Sequence, residues 1–233
     1  MPTLLTVLLL SCSSPNVPVD PSPSFQPLAP NESLSRQAEL ARFEEGCDDG
    51  ASDACSALGL YYSEDEDARN LERSTEYMTR ACDLKMSAAC ASAGARLMER
   101  SPPNTEKAQA MFDKGCALDD PTSCFGLGQA LSLTDEVERM EGAYGKACEG
   151  DQKQACANLA VHLHAEGPRN HPKRAHAAAD RACALNIGVG CAIQATYYRG
   201  GEHFPADEER ARSLLRQACT LGHQDSCSAD ELQ

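Results

Sequence analysis

Twelve of the thirteen cysteines in this 233-residue chain form six pairs, and seven residues separate the two cysteines of every pair. The pairs are Cys47/Cys55, Cys82/Cys90, Cys116/Cys124, Cys148/Cys156, Cys183/Cys191 and Cys219/Cys227. Successive pairs begin 32 to 36 residues apart, a period typical of solenoids built from two-helix repeats. The spacing therefore predicts an all-α solenoid over residues 36–233, with about five full units and partial units at its ends.

The third residue after each first cysteine predicts a chain reversal inside the pair. A continuous helix would hold the two cysteines about 12 Å apart, whereas a disulfide requires Cα atoms about 4.4 to 6.8 Å apart. The residues at this position are Gly50, Lys85, Asp119, Asp151, Asn186 and Gly222, and most of these types tolerate the left-handed conformation that ends a helix. We therefore expect six disulfides, each within one pair. Zinc is the alternative, but structural zinc sites favour two to four residues between paired ligands, so we expect no metal and no cofactor.

Each unit is predicted to contain a helix B, which ends at the first cysteine, and a helix A, which begins near the second. Four residues before the first cysteine lie mostly large apolar side chains: Phe43, Met78, Phe112, Tyr144, Ala179 and Leu215. Four residues after the second lie small ones: Gly59, Gly94, Gly128, Ala160 and Ala195. Small residues on a packed helical stripe allow a neighbouring helix to approach closely. Candidate N-cap residues of helix B are Asn70, Asn104, Asp135, Asn170 and Asp207.

The N-terminal segment predicts export and lipid attachment. Residues 3–10 form an apolar run that is too short to span a membrane but suits a secretory signal, although no Lys or Arg precedes it. The sequence Leu9-Leu10-Ser11-Cys12 resembles a bacterial lipobox, and Cys12 is the cysteine left outside the six pairs. We expect residues 1–11 to be a lipoprotein-type signal peptide and Cys12 to be lipidated at the cell envelope. Because Ser13 and Ser14 follow Cys12, the outer membrane is favoured by analogy; an ordinary secreted protein is the alternative.

Residues 12–35 are rich in Pro and Ser, with prolines at 15, 18, 21, 23, 27 and 30. Such a composition favours an extended polyproline conformation, so we expect a tether between the lipid anchor and the solenoid. The formal net charge of the whole chain is −14. This charge argues against nucleic acid as a partner, because phosphate binding requires a basic surface.

These features together resemble the cysteine-rich, Hcp-type branch of the Sel-like repeat family, which is tetratricopeptide-like. An Ala-Cys pair ends helix B in four units, at Cys82, Cys148, Cys183 and Cys219. Helix A opens as CSALGLYYS at residues 55–63 and, in degenerate form, as CAIQATYYRGG at residues 191–201. The resemblance covers residues from about 36 to 233. It implies a right-handed α/α superhelix, disulfide-linked within each turn, and an adaptor role through contacts with other proteins as a monomer.

The same resemblance implies an alternative function, since some family members have been described as binding or slowly hydrolysing β-lactams. The chain contains no Ser-x-x-Lys motif of serine β-lactamases, no His-Glu-x-x-His and no nucleophile elbow. We therefore predict no catalytic residue, and a non-catalytic scaffold is the favoured interpretation.

The candidate partner-binding residues lie six positions after the second cysteine, which is about 120° around helix A from the cysteine itself. They are Tyr61, Arg96, His162 and Tyr197, with Ala130 at the same position in the third unit. We expect this row to line the concave side of the superhelix. Tyr and Arg often dominate binding energy at interfaces; the alternative is that Tyr61 and Tyr197 only cover neighbouring units. His162 and His164 are two residues apart, so they should point to different sides of the helix.

Overall fold

The computed structural model of the protein describes residues 30–64, 68–165, 171–200 and 204–228. The predicted signal peptide, Cys12 and most of the predicted tether lie outside these residues. By its internal contacts the chain divides into residues 1–38 and residues 39–233, and the packing described below is that of the second unit.

Eleven α-helices and one short 3₁₀ helix make up the described residues, which contain no strand. They are α1 (Pro30–Asp48), α2 (Ser52–Tyr61), α3 (Ala68–Asp83), α4 (Ser87–Glu99), α5 (Thr105–Ala117), α6 (Pro121–Leu131), α7 (Val137–Glu149), α8 (Lys153–His164), α9 (Pro172–Ala184), α10 (Gly188–Gly200), α11 (Glu208–Thr220) and the 3₁₀ helix Gln224–Cys227. From α2 onward every helix packs on the next, and α4, α6, α8 and α10 also contact one another in succession. The predicted solenoid is confirmed: odd-numbered helices are the B helices and even-numbered helices the A helices.

The chain reverses where the sequence predicts. The third residue after each first cysteine has a positive φ, from 58° at Asp119 to 89° at Gly222. In the first unit, Gly50 donates its N–H to the Cys47 carbonyl and Ala51 donates to the Gly46 carbonyl. Both bonds recur at equivalent positions in all six units. This pair of bonds is the Schellman motif that satisfies the last carbonyls of a helix.

Six disulfides cross these reversals, each within one predicted pair. The bonds are Cys47–Cys55, Cys82–Cys90, Cys116–Cys124, Cys148–Cys156, Cys183–Cys191 and Cys219–Cys227. The Cα atoms of the paired cysteines lie between 4.5 Å (Cys116 and Cys124) and 4.9 Å (Cys219 and Cys227) apart. The reversal therefore sets the distance that a disulfide requires, and the cross-linked fold is confirmed.

Four of the second cysteines of the pairs are completely buried. Cys55, Cys90, Cys156 and Cys191 are 0% exposed, and each packs within a cluster of buried apolar residues. The spacing predicts which cysteines pair but not how far they are buried, because burial depends on the neighbouring helices. These four cysteines therefore form the predicted disulfides and also fill the core.

The core lies between each A helix and the B helix that follows it. A Cβ atom at Gly59 would lie 2.8 Å from the Met78 side chain, and one at Gly94 would lie 2.6 Å from the Phe112 ring. A Cβ atom at Gly128 would lie 2.5 Å from the Tyr144 ring. Each of these large side chains therefore occupies the space that a glycine on the preceding A helix leaves empty.

The predicted helix starts are only partly confirmed. Asn104 and Asp207 are N-caps whose side chains accept hydrogen bonds from the backbone N–H groups of Lys107 and Arg210. Asn70 instead lies inside α3, and Glu136 rather than Asp135 is the N-cap of α7. Asn170 lies outside the described residues.

None of the helices in the described ranges combines the length and the apolar character that crossing a bilayer requires.

Candidate functional site

The A helices and the residues that directly follow them carry two rows of positions that are exposed in the first five units. The first row lies five residues after the second cysteine of each unit: Leu60, Ala95, Gln129, Val161 and Thr196. The second lies nine residues after it: Glu64, Glu99, Leu133, Ala165 and Gly200. At 100° per residue, the first row lies roughly 150° from the centre of the buried stripe. In the second row Glu99 and Gly200 lie within an A helix, whereas the other three members follow the end of theirs. The two rows therefore form the open face of the A helices.

A groove with a volume of about 540 Å³ runs across this face between α4, α6 and α8. The rings of Phe112 and Tyr144 form its floor, and they reach the groove because the glycines packed against them, at positions 94, 126 and 128, have no side chain to cover them. The side chains that line the walls are Ala95, Met98, Glu99, Gln129, Ser132, Leu133 and Asn158. The groove thus combines an aromatic floor and apolar walls with two amides, each of which can both donate and accept hydrogen bonds.

The predicted partner-binding row lies at the junctions between units rather than along the open face. Ala130 is fully buried, and Tyr197 is only 8% exposed. Tyr61 is half-buried and packs edge-on against Tyr62, with 5.1 Å between ring centroids. Arg96 lines a cavity of about 320 Å³ between α3 and α4.

The expectation of a continuous exposed row is therefore wrong for Ala130 and Tyr197. The position six residues after the second cysteine lies on the flank of helix A, where the adjoining B helices pack, rather than on its open side. Partner binding by Tyr61, Arg96, His162 and Tyr197 stays a prediction.

A buried carboxylate occupies the junction that contains His162. Glu141 on α7 has a side chain that is 10% exposed, and its two oxygens face partners on the next two helices. His162 Nε2 on α8 lies 3.2 Å from one oxygen, and a guanidinium nitrogen of Arg174 on α9 lies 3.0 Å from the other. Glu141 therefore links three consecutive helices.

His164 faces a different partner from His162, as the spacing of two residues predicts, and His176 packs against an aromatic ring. His164 Nδ1 lies 3.1 Å from the Tyr197 hydroxyl. His176 stacks on Phe204 with 4.2 Å between ring centroids. Burial lowers the pKa of His176 below its usual value, and nearby Asp180 opposes this shift. Within the described ranges, no group of three or more His, Cys, Asp or Glu side chains has a geometry that could hold a metal ion.

Four stretches of the chain match the family model of the Sel1 repeat: residues 52–86, 87–120, 153–187 and 181–223. Together they span more than half of the chain. The chain is also 26% identical over 186 residues to cytochrome c oxidase assembly factor 7 of Xenopus tropicalis, and the match covers 72% of this chain and 79% of that protein.

Two solved structures share the fold. The Sel1 repeat protein from Oxalobacter formigenes has a TM-score of 0.56 and 15% sequence identity, covering 84% of this chain and 86% of that one. YrrB, described as a TPR protein with an unusual peptide-binding site, has a TM-score of 0.51 and 18% identity, covering 82% of this chain and 98% of that one. At these identities the likeness concerns the fold alone.

Proposed function

The chain belongs to the Sel1 repeat family, and we propose that it is a non-catalytic scaffold whose A-helix groove binds an extended segment of another protein. Sel1 repeat scaffolds typically serve protein–protein interaction. The groove over Phe112 and Tyr144 is the observation that carries the proposal for this chain.

The chemistry of the groove suits an extended peptide. The amides of Gln129 and Asn158 can bond the N–H and C=O groups of a peptide backbone, which has no internal partners when it is extended. Met98 and Leu133 line the same groove, and Leu133 is 72% exposed. An apolar side chain of the bound segment would cover Leu133 and rest on the two rings.

Charge defines the partner further. The formal net charge is −14, and Glu99 is the charged side chain among those that line the groove. We therefore infer a segment with basic residues beside its apolar anchor, since complementary potentials speed association. A peptide as the ligand agrees with the description of YrrB, a protein of the same fold, which names a peptide-binding site.

The six disulfides indicate an oxidising compartment outside the cytosol. We further propose that Cys12 carries lipid and holds the scaffold at the outer membrane of a bacterial envelope. The support is the lipobox-like sequence together with the absence of a pairing partner for Cys12 in the six-pair pattern. Replacing Cys12 by Ala should release the protein into the soluble fraction after cell lysis; membrane association equal to that of the unmodified protein would contradict lipid attachment.

Site-specific photo-crosslinking tests the groove directly. A photoreactive residue at Gln129 or Ala95 should give a shared protein adduct in the native envelope, because both positions are exposed on the open face. The matched control is the same residue at Glu138, which is exposed on α7. The change Leu133→Asp should abolish the adduct. Equal adducts from Gln129 and Glu138, or an adduct unaffected by Leu133→Asp, would contradict the proposal.

A further inference from the structure

The repeat register makes the junctions between units directly comparable. Each junction contains a position seven residues before a first cysteine, one six residues after the second cysteine, and one nine residues before the next first cysteine. From the second junction to the fifth, these sets are Thr75/Arg96/Lys107, Gln109/Ala130/Arg139, Glu141/His162/Arg174 and His176/Tyr197/Arg210. Two of these sets are alike at their last two positions, which hold Arg96 and Lys107 in one set and His162 and Arg174 in the other. At the first position, however, the set with His162 has the carboxylate of Glu141, whereas the set with Arg96 has Thr75.

In the fourth junction the carboxylate of Glu141 lies between the two other members of its set, at 3.2 Å from His162 and 3.0 Å from Arg174. In the second junction the equivalent residue is Thr75, whose hydroxyl donates to the Leu71 carbonyl of its own helix. Threonine is shorter than glutamate and carries no charge. The second junction therefore has no carboxylate in its set, whereas in the fourth the Glu141 carboxylate accepts a hydrogen bond from Arg174. His162 Nε2 lies close to that carboxylate but forms no hydrogen bond with it.

Two cavities lie at the second junction, and Thr75 lines both of them. The smaller, of about 320 Å³, is also lined by Arg96, and the larger, of about 610 Å³, by Lys107. Arg96 Nε is shielded from solvent and has no hydrogen-bond partner in the described part of the chain. A shielded donor of this kind is costly unless a ligand satisfies it.

The other charged groups around the cavities leave Arg96 and Lys107 available. Arg80 is paired with Asp48 at 2.8 Å, and Arg100 faces Glu72 at 3.6 Å. Glu76 and Glu99 also line the walls, but both are exposed to solvent. Leu71, Leu97 and Met111 supply apolar surface beside the cations.

We propose that the smaller cavity of this junction binds the carboxylate of an external ligand at Arg96, next to the register position of Thr75, where Glu141 supplies an internal carboxylate two units later. The guanidinium of Arg96 provides charge-assisted hydrogen bonds to the carboxylate, and Leu71, which lines the same cavity, packs against a short carbon skeleton. The cavities fall in the size range of small-molecule sites. The ligand is a small aliphatic acid or the side chain of an acidic residue, and the site does not depend on the A-helix groove.

Thermal unfolding with the disulfides intact tests the site, with propionate as the probe and sodium chloride at equal ionic strength as the reference. Propionate should raise the Tm of the unmodified protein, since a ligand that binds only the folded state stabilises it. Arg96→Gln should lose this response. Arg139→Ala, at the junction position equivalent to Lys107, is the matched control and should keep it. An equal Tm shift with propionate in Arg96→Gln and in the unmodified protein would overturn the proposal. So would the absence of a Tm shift in the unmodified protein with both propionate and the second probe described below.

Exchanging the residues of the two junctions gives a reciprocal test. Thr75→Glu should place an internal carboxylate at the second junction, so its Tm without propionate should rise and its response to propionate should disappear. Glu141→Thr should empty the fourth junction, lower the Tm and add a response to propionate. If Thr75→Glu fails to fold, the Tm shifts of Arg96→Gln and Glu141→Thr with propionate still test the proposal. An unchanged response in both exchanged variants would contradict the equivalence of the two junctions.

A second probe distinguishes the two sources of the carboxylate. N-acetylglutamate α-methylamide reproduces a glutamate side chain within a peptide, whereas propionate reproduces a free acid. A Tm shift with both probes indicates a site for small acids. A shift with the glutamate probe alone, lost in Arg96→Gln, indicates an acidic side chain of a docked protein.

Discussion

The first three A/B interfaces and the fourth are packed in opposite ways. In the first three, glycines at positions 59, 94 and 128 on the A helices meet large side chains on the following B helices. In the fourth, Ala160 and Ala179 occupy the equivalent positions, and both are fully buried. The same backbone repeat therefore accepts either a large side chain opposite a glycine or two alanines, because the summed volume and the helix separation can adjust together.

This difference also determines where the groove lies. The rings of Phe112 and Tyr144 form its floor, and both belong to glycine-containing interfaces. An interface of two alanines offers no ring to the open face. The glycines of the central units therefore serve packing and, at the same time, leave an aromatic surface accessible to a ligand.

The largest expected effect comes from removing a ring from a glycine-containing interface. Phe112→Ala should lower the free energy of unfolding by about 3 to 5 kcal/mol, because it leaves a cavity that glycines at 94 and 126 cannot fill. Ala179→Gly in the fourth interface, which removes one methyl group, should cost about 2 kcal/mol, because lower helix propensity and the lost methyl burial each contribute about 1 kcal/mol. Denaturant unfolding under non-reducing conditions measures both. Equal costs would mean that the two kinds of interface do not differ as described.

A smaller effect is expected from filling the glycine space. Gly128→Ala should lower the free energy of unfolding by about 1 to 3 kcal/mol, because its Cβ would lie 2.5 Å from the Tyr144 ring. Gly145→Ala is the matched control, since a Cβ at Gly145 would have no neighbouring atom within 4 Å. This control should be more stable by up to about 1 kcal/mol, as alanine favours the helix. Destabilisation of both variants to the same extent would show that backbone effects, not the ring contact, set the requirement for glycine.

Local features of the fold could be predicted from the sequence, whereas the open face could not. The reversals depend on residue types such as Gly50 and Asn186 in their own turn, and the cysteine spacing fixes the disulfides. The open face depends on how far neighbouring helices wrap around each A helix, which a single helix does not reveal. The row predicted from the sequence, which includes Tyr61 and Tyr197, therefore lies one residue beyond the row that is exposed in the structure, which includes Leu60 and Thr196. The three-way contact of Glu141 was missed for the same reason, because it joins residues from three helices.

The end turns and the internal turns differ in how they meet the same backbone requirement. Glycines at 50 and 222 adopt φ values of 87° and 89°, whereas Lys85 adopts 71°. Gly50→Ala should lower the free energy of unfolding by about 1 kcal/mol, since a Cβ atom is unfavourable in this conformation. Lys85→Gly should change it by less than about 1 kcal/mol in the stabilising direction, because relief of strain is partly offset by chain entropy. Thermal unfolding of the two variants measures the difference; stabilisation by Gly50→Ala would contradict it.

The smallest expected effect concerns the aromatic clusters in the early and late units, of which the later one contains histidine. In the early cluster Tyr62 stacks on Tyr77, and burial raises the pKa of the Tyr77 hydroxyl. In the later one burial lowers the pKa of His176, with Arg210 acting in the same direction and Asp180 against it. Because the folded protein holds His176 neutral more strongly than the unfolded chain does, the stabilisation is complete above about pH 6.5. It is lost as the pH falls from there through the folded pKa. His176→Gln should therefore reduce the loss of Tm between neutral and mildly acidic pH, whereas Tyr77→Phe should leave that loss unchanged. If the Tm of His176→Gln and that of the unmodified protein depend on pH in the same way, His176 does not contribute to the pH dependence.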